Sequence, residues 1–121
     1  SGTIALVGGS ASLIYNSVAG TSQALLAGNA YILNNAAATT GTLPTSGSST
    51  IGDTIKIKGR SSAPWIIQAN TGQIITMDNA SSTTAGTLTS STGVDSLQLV
   101  YVASNEWSVD WALSNGVMVL A

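Results

Sequence analysis

The sequence predicts an all-β fold, a β-sandwich or jelly-roll-like barrel. Residues 54–58 alternate strictly, with Ile55 and Ile57 on one face and Thr54, Lys56 and Lys58 on the other, the two-residue period of a half-buried strand. Strand-like runs recur every ~8–12 residues between Gly and Asn punctuation, the spacing of sandwiches and barrels. Nowhere does a helical period persist long enough to stand. At 121 residues the chain is read as one domain with one core.

Taken in order, Thr3 to Val7 is an apolar run stopped by Gly8-Gly9, a first strand or the end of a lead-in from a preceding domain. Gly8-Gly9-Ser10 is not a phosphate loop, because neither the downstream lysine nor a helix follows. Ser12 to Val18 mixes Leu13, Ile14 and Tyr15 with polar residues and closes at Gly20. Ser22 to Ala27 has helix-forming residues but too few of them, and reads as connector or strand. Residues 1–28 are therefore assigned as a lead-in segment with the N-terminal strands of the same domain, and 29–121 as the main β module.

Asn29 to Asn35 alternates as a strand, and Ala38 to Leu43 is extended before Pro44, which disfavours helix in its predecessor. A Ser/Gly loop, 45–50, leads into the basic strand. Pro64 to Ala69 is a strand in which Trp65 and Ile67 share a face. Asn70-Thr71-Gly72 turns, and Gln73 to Asp78 is expected to pair back on it as a hairpin. Asn79 to Gly93 is the least apolar stretch, with Leu88 its only obvious core anchor, and is expected to be a mobile loop or one ordered by neighbouring subunits. In the last third, Leu97, Leu99 and Tyr101 share a face, Ser104-Asn105 turns, and Trp107, Val109, Trp111 and Leu113 are expected to share a face. Asn115-Gly116 is a turn before a final apolar strand, Val117 to Ala121.

Only 7% of residues are charged, against 18 Ser and 15 Thr, so hydroxyl and amide groups must form most of the surface. A surface so poor in charge is weakly protected against association, which points to an assembly. Three basic residues and a net charge of -2 argue against nucleic acid. No cysteine means no disulfide, and no histidine removes the commonest general base and metal ligand. No apolar run approaches the ~18 residues of a membrane span, so membrane insertion is not expected. The start at Ser1-Gly2, without methionine, reads as a fragment whose missing part holds an enzyme, an anchor or a shaft.

Lys56, Lys58 and Arg60 are the whole positive charge of the chain, gathered on one strand and its exit. That patch is either a solvated face, or edge strand guarded by lysine, or a contact for an anion or acidic sugar. Among the acids, Asp53, Asp78 and Asp95 stand where Asp caps turns by accepting backbone N–H groups. A glycosidase would need two acids facing each other across a sugar, and nothing in the order of Asp53, Asp78, Asp95, Glu106 and Asp110 selects a pair. The serines lack an activating base, and no calcium-loop spacing occurs. No catalytic residue, metal or cofactor is assigned. Tryptophan suits carbohydrate because the apolar face of a pyranose stacks on indole, but Trp107 and Trp111 are read first as core or subunit-interface residues. Asn79-Ala80-Ser81 matches the N-glycosylation sequon, a frequent coincidence in so Ser-rich a chain.

Several stretches together carry a resemblance: Tyr31-Ile32-Leu33-Asn34-Asn35-Ala36 with Thr42-Leu43-Pro44; Ile51-Gly52-Asp53-Thr54-Ile55; Trp65-Ile66-Ile67-Gln68-Ala69-Asn70 with Gly72-Gln73-Ile74-Ile75; and Asp95-Ser96-Leu97-Gln98-Leu99-Val100-Tyr101 with Trp107-Ser108-Val109. Over roughly residues 29–113 the chain resembles a module found near the C-terminal ends of bacteriophage tail fibres and tailspikes, and in fibre-like or collagen-like bacterial surface proteins. The resemblance implies a non-enzymatic β-structured homotrimer at a fibre tip on the virion, serving trimer assembly, receptor binding or both. Its partners would be its own copies and a host-cell surface polysaccharide. The alternatives are the head of a bacterial surface adhesin and, further off, a polysaccharide-degrading enzyme. Candidate glycan contacts are Lys56, Lys58 and Arg60, then Trp65, Tyr101 and the 79–93 loop.

Overall fold

The computed structural model describes residues 13–121; the strand read at Thr3 to Val7 lies outside them. The described chain is nearly all β, in two sheets, with one three-residue 3₁₀ turn at Ser46–Ser48. Its first six strands are β1 (Ile14–Val18), β2 (Ser22–Ala24), β3 (Asn29–Leu33), β4 (Thr40–Thr42), β5 (Thr54–Gly59) and β6 (Ile66–Gln68). They visit the two sheets alternately, and each pairs in parallel with the strand two before it: β1 with β3 with β5, and β2 with β4 with β6. The pairs Asn29–Ile55 and Thr40–Ile66 have the same sequence separation, so one full turn of the chain advances both sheets together.

The remaining strands are β7 (Ile74–Met77), β8 (Ala80–Ser81), β9 (Thr87–Thr89), β10 (Ser96–Ala103), β11 (Glu106–Leu113) and β12 (Val119–Leu120). The larger sheet runs β1-β3-β5-β10-β11-β7-β8 and the smaller β12-β9-β6-β4-β2. The turn at Ser104-Asn105 makes the β10–β11 hairpin, with Asn105 at φ 62°, a left-handed position that Asn tolerates. The hairpin expected between 64–69 and 73–78 does not form. β6 belongs to the smaller sheet and β7 to the larger, because Asn70 and Gln73 turn the chain from one layer to the other. Gln73 is fully buried and satisfied: its Oε1 accepts the Asn70 N–H at 2.8 Å, and its Nε2 donates to Pro44 O and Ser46 Oγ.

The stretch 79–93, expected to be a loop, is built into both sheets as β8 and β9. Its small polar residues are ordered by bonds that the chain makes to itself. Ser82 Oγ accepts the Ile75 N–H and Ser90 Oγ accepts the Trp65 N–H, while Leu88 is fully buried. Both layers contribute to one core. Ile55, Ile57, Ile75, Leu97, Leu99 and Trp107 come from the larger sheet, and Ile67 and Leu88 from the smaller, with Trp65 between. Gly41 faces this core opposite Leu25, whose side chain fills the space that a Cβ would take. Burying side chains of this size is worth roughly 1.5–3 kcal/mol each, which is what holds so charge-poor a chain together.

Candidate functional site

The basic strand β5 is not an edge. It lies between β3 and β10 in the middle of the larger sheet, so the reading of its lysines as edge guards does not apply. Ile55 and Ile57 enter the core, and Lys56 and Lys58 stand on the outer face. Because its neighbours are in register, one row of residues crosses five strands: Tyr15 (β1), Ala30 (β3), Lys56 (β5), Gln98 (β10) and Trp111 (β11).

This row is a compact cluster. The Lys56 ammonium donates to the Tyr15 hydroxyl at 2.8 Å, and lies 5.3 Å from the Tyr15 ring centroid and 5.6 Å from the Trp111 ring centroid. With the hydroxyl in hydrogen-bond contact, the ammonium sits at the rim of the phenol. Its distance to Trp111 is within the ~6 Å range of a cation–π contact. Ala30 points outward and yet is fully buried. Its neighbours in the row are Tyr15 and Lys56, and its single methyl leaves them room to close over it. Tyr15 remains 55% exposed and Trp111 half-buried, so aromatic surface is open to solvent on both sides of the ammonium.

Trp111 reaches this face because β11 is bulged. Gln98 pairs with Trp111 but Leu99 pairs with Val109, leaving Asp110 as an extra residue. The phase of alternation shifts there, so Trp107 and Val109 face the core while Trp111 and Leu113 face out, and the single face expected for all four is corrected. Asp110, exposed on the bulge, accepts a long 3.5 Å hydrogen bond from Gln98 Nε2. A ring face, an ammonium, an amide and a carboxylate thus converge on one surface, the set of groups that binds a sugar's apolar face and its hydroxyls.

Of the residues expected to contact a ligand, Lys56, Lys58 and Arg60 are on the surface, with Arg60 just beyond β5 and tied by its N–H to Leu33 O. Trp65 and Tyr101 are core residues, and neither offers a ring face to a ligand. Trp65 is fully buried and donates its indole N–H to Asp95 O at 3.2 Å. Tyr101 packs at 59° on Trp107, centroids 5.1 Å apart, and its hydroxyl accepts the Asn105 N–H. Tyr15, Gln98 and Trp111 were not identifiable as a set from the sequence, since only the cross-strand register joins them.

Asp95, Asp53 and Glu106 act as structural acceptors. Asp95 is buried and accepts from the Ser91 and Thr92 amides and from the Ser91, Thr92 and Ser114 hydroxyls, at 2.7–3.1 Å. Burial pushes its pKa up, but the Ser91 and Thr92 hydrogen bonds outweigh burial and hold the carboxyl below its ordinary value. Asp53 accepts the Thr50 N–H and Glu106 the Thr76 hydroxyl. Among the described residues no group of three potential ligands converges to hold a metal ion, and no helix is long and apolar enough to cross a membrane. Neither a protein-family model nor a curated protein matches this chain.

Proposed function

We propose that this domain is the homotrimeric distal module of a bacteriophage tail fibre, assembling the fibre tip and binding a polysaccharide of the host-cell surface. The observation that carries the reading is the partly exposed Tyr15–Lys56–Trp111 cluster on the outer face of the larger sheet. Aromatic surface beside hydrogen-bonding groups is what glycan recognition needs. A weak contact of this kind gains strength when several copies engage one polymer, which a trimeric tip provides.

Association is supported by what the single chain leaves uncovered. Ile14, Leu26 and Ile51, each at least 60% exposed, gather at one end of the larger sheet, where Gly28 bonds Thr54 and Gly52 bonds Tyr101. Val94 and Leu113 are exposed at the opposite end. With 7% charged residues, little like-charge repulsion opposes packing copies side by side. Two layers around one core support a sandwich, although the parallel ladders of β1-β3-β5 and β2-β4-β6 depart from an all-antiparallel jelly roll. The adhesin head of a bacterial surface protein remains the second reading, since the same cluster would serve it.

The test is binding of the purified domain to isolated bacterial surface polysaccharides, with Trp111→Ala as the control. Retention of a polysaccharide by the natural sequence, lost in the variant, is the expected result. Equal retention by both would remove the platform from the account.

A further inference from the structure

We infer that the platform takes an anionic carbohydrate, a glycan with a uronate- or sialate-type carboxylate, with the acid group on Lys56 and a sugar ring stacked on Trp111. This rests on the glycan-binding reading and narrows it to one chemical class.

The placement of charge carries the argument. Every cation of the chain's side chains lies on or just after one strand, at Lys56, Lys58 and Arg60. Alternate residues of a strand project on the same side, about 7 Å apart, so these three form a ridge that begins at the aromatic cluster. Lys56 is placed between two rings and makes its hydrogen bond, among the described residues, to a neutral phenol. An ammonium has three donors and an exposed one is ordinarily satisfied by water or a carboxylate. Here the Tyr15 hydroxyl and the Trp111 ring hold it in place without neutralising it, and an incoming carboxylate meets a positioned, unspent charge.

The remaining groups fit a sugar acid better than a bare anion. A phosphate or sulfate has no use for the indole surface of Trp111, whereas a pyranose covers it and leaves its carboxylate at the ring edge. Gln98 and Asp110 lie beside Trp111, joined only by a 3.5 Å bond that a sugar hydroxyl can replace. Asp110 also discriminates, since its carboxylate disfavours an anion on the Trp111 side and directs the ligand's acid toward Lys56. The buried methyl of Ala30 leaves nothing protruding between Tyr15 and Lys56.

The experiment uses matched ligands that differ only in the acid: oligogalacturonate against its methyl ester, and sialyllactose against its methyl ester, together with arrayed acidic and neutral bacterial polysaccharides. The acidic member should bind at least about tenfold more tightly than its neutral match, less so at high salt as Lys56 is screened. Lys56→Gln should abolish that preference and Lys56→Arg preserve it, while Trp111→Ala weakens acidic and neutral ligands alike. Equal binding of matched ligands, a preference that survives Lys56→Gln, or binding confined to neutral polysaccharides would overturn the anionic class and leave the glycan reading standing. Binding to no carbohydrate in the set would overturn the glycan reading and this inference with it.

Discussion

Lys56 and Tyr15, separated by 41 positions in the chain, are joined by a 2.8 Å hydrogen bond across the intervening strand β3. The bond ties β1, an edge strand of the larger sheet, to the interior strand β5 over the floor made by Ala30. Because both groups are partly exposed, removing it should matter little for folding. Tyr15→Phe is expected to lower stability by less than about 1 kcal/mol in urea unfolding. A loss of several kcal/mol would mean that β1 depends on this bond for its docking.

Trp65 and Trp107 offer an internal comparison. Both are fully buried, yet Trp65 Nε1 donates to Asp95 O while Trp107 Nε1 has no partner among the described residues. The same truncation to Phe removes a hydrogen bond at one site and an unsatisfied donor at the other. Trp65→Phe should therefore destabilise more than Trp107→Phe, by about 1 kcal/mol or more. Denaturant unfolding of the two variants decides this, and the reverse order would contradict it.

Gly59 ends β5 where the chain passes closest to the 93–95 turn. A Cβ there would meet the Gly93 and Asp95 carbonyl oxygens and stand 2.8 Å from Trp65 Nε1. Backbone on two sides cannot yield cheaply, and the Trp65–Asp95 hydrogen bond occupies the same space. Gly59→Ala should cost about 3 kcal/mol, at the upper end of overpacking, read as a lowered unfolding midpoint at unchanged slope.

Asp95 makes stability depend on acid. Its carboxyl titrates lower in the folded chain than in the unfolded one, so its contribution is complete above the unfolded value near 4 and is lost as pH falls through the lower folded value. Unfolding free energy measured from pH 7 to pH 2 should fall on the acid side. Asp95→Asn should be less stable at pH 7 by about 2 kcal/mol and show a flatter acid limb. An unchanged acid limb in that variant would assign the dependence to another group.

Much of this was legible in the residues, for identifiable reasons. Alternation marks β5, β10 and β11, and the Asn105 turn and the capping role of Asp95 follow from local chemistry that acts over a few positions. What escaped depends on partners far along the chain. Nothing in Ile66-Ile67-Gln68 announces a parallel neighbour at Thr40–Thr42, and the alternation of a strand is the same whichever way its partner runs. The bulge at Asp110 has no residue signature in Trp107-Ser108-Val109-Asp110-Trp111, so alternation alone puts Trp111 on the face of Trp107. Likewise Ser- and Thr-rich sequence in 79–93 reads as loop, because the hydroxyls that order it bond to backbone from other strands. The candidate ligand platform inherits both difficulties, since Lys56 was visible and its aromatic companions were not.

The most direct test of the fibre-tip account is the absolute mass of the domain in solution by light scattering, at micromolar concentration and again after strong dilution. The account predicts a mass of three chains that survives dilution, with the exposed Ile14, Leu26 and Ile51 end of the sheet covered by neighbours. A well-folded monomer at both concentrations would contradict it.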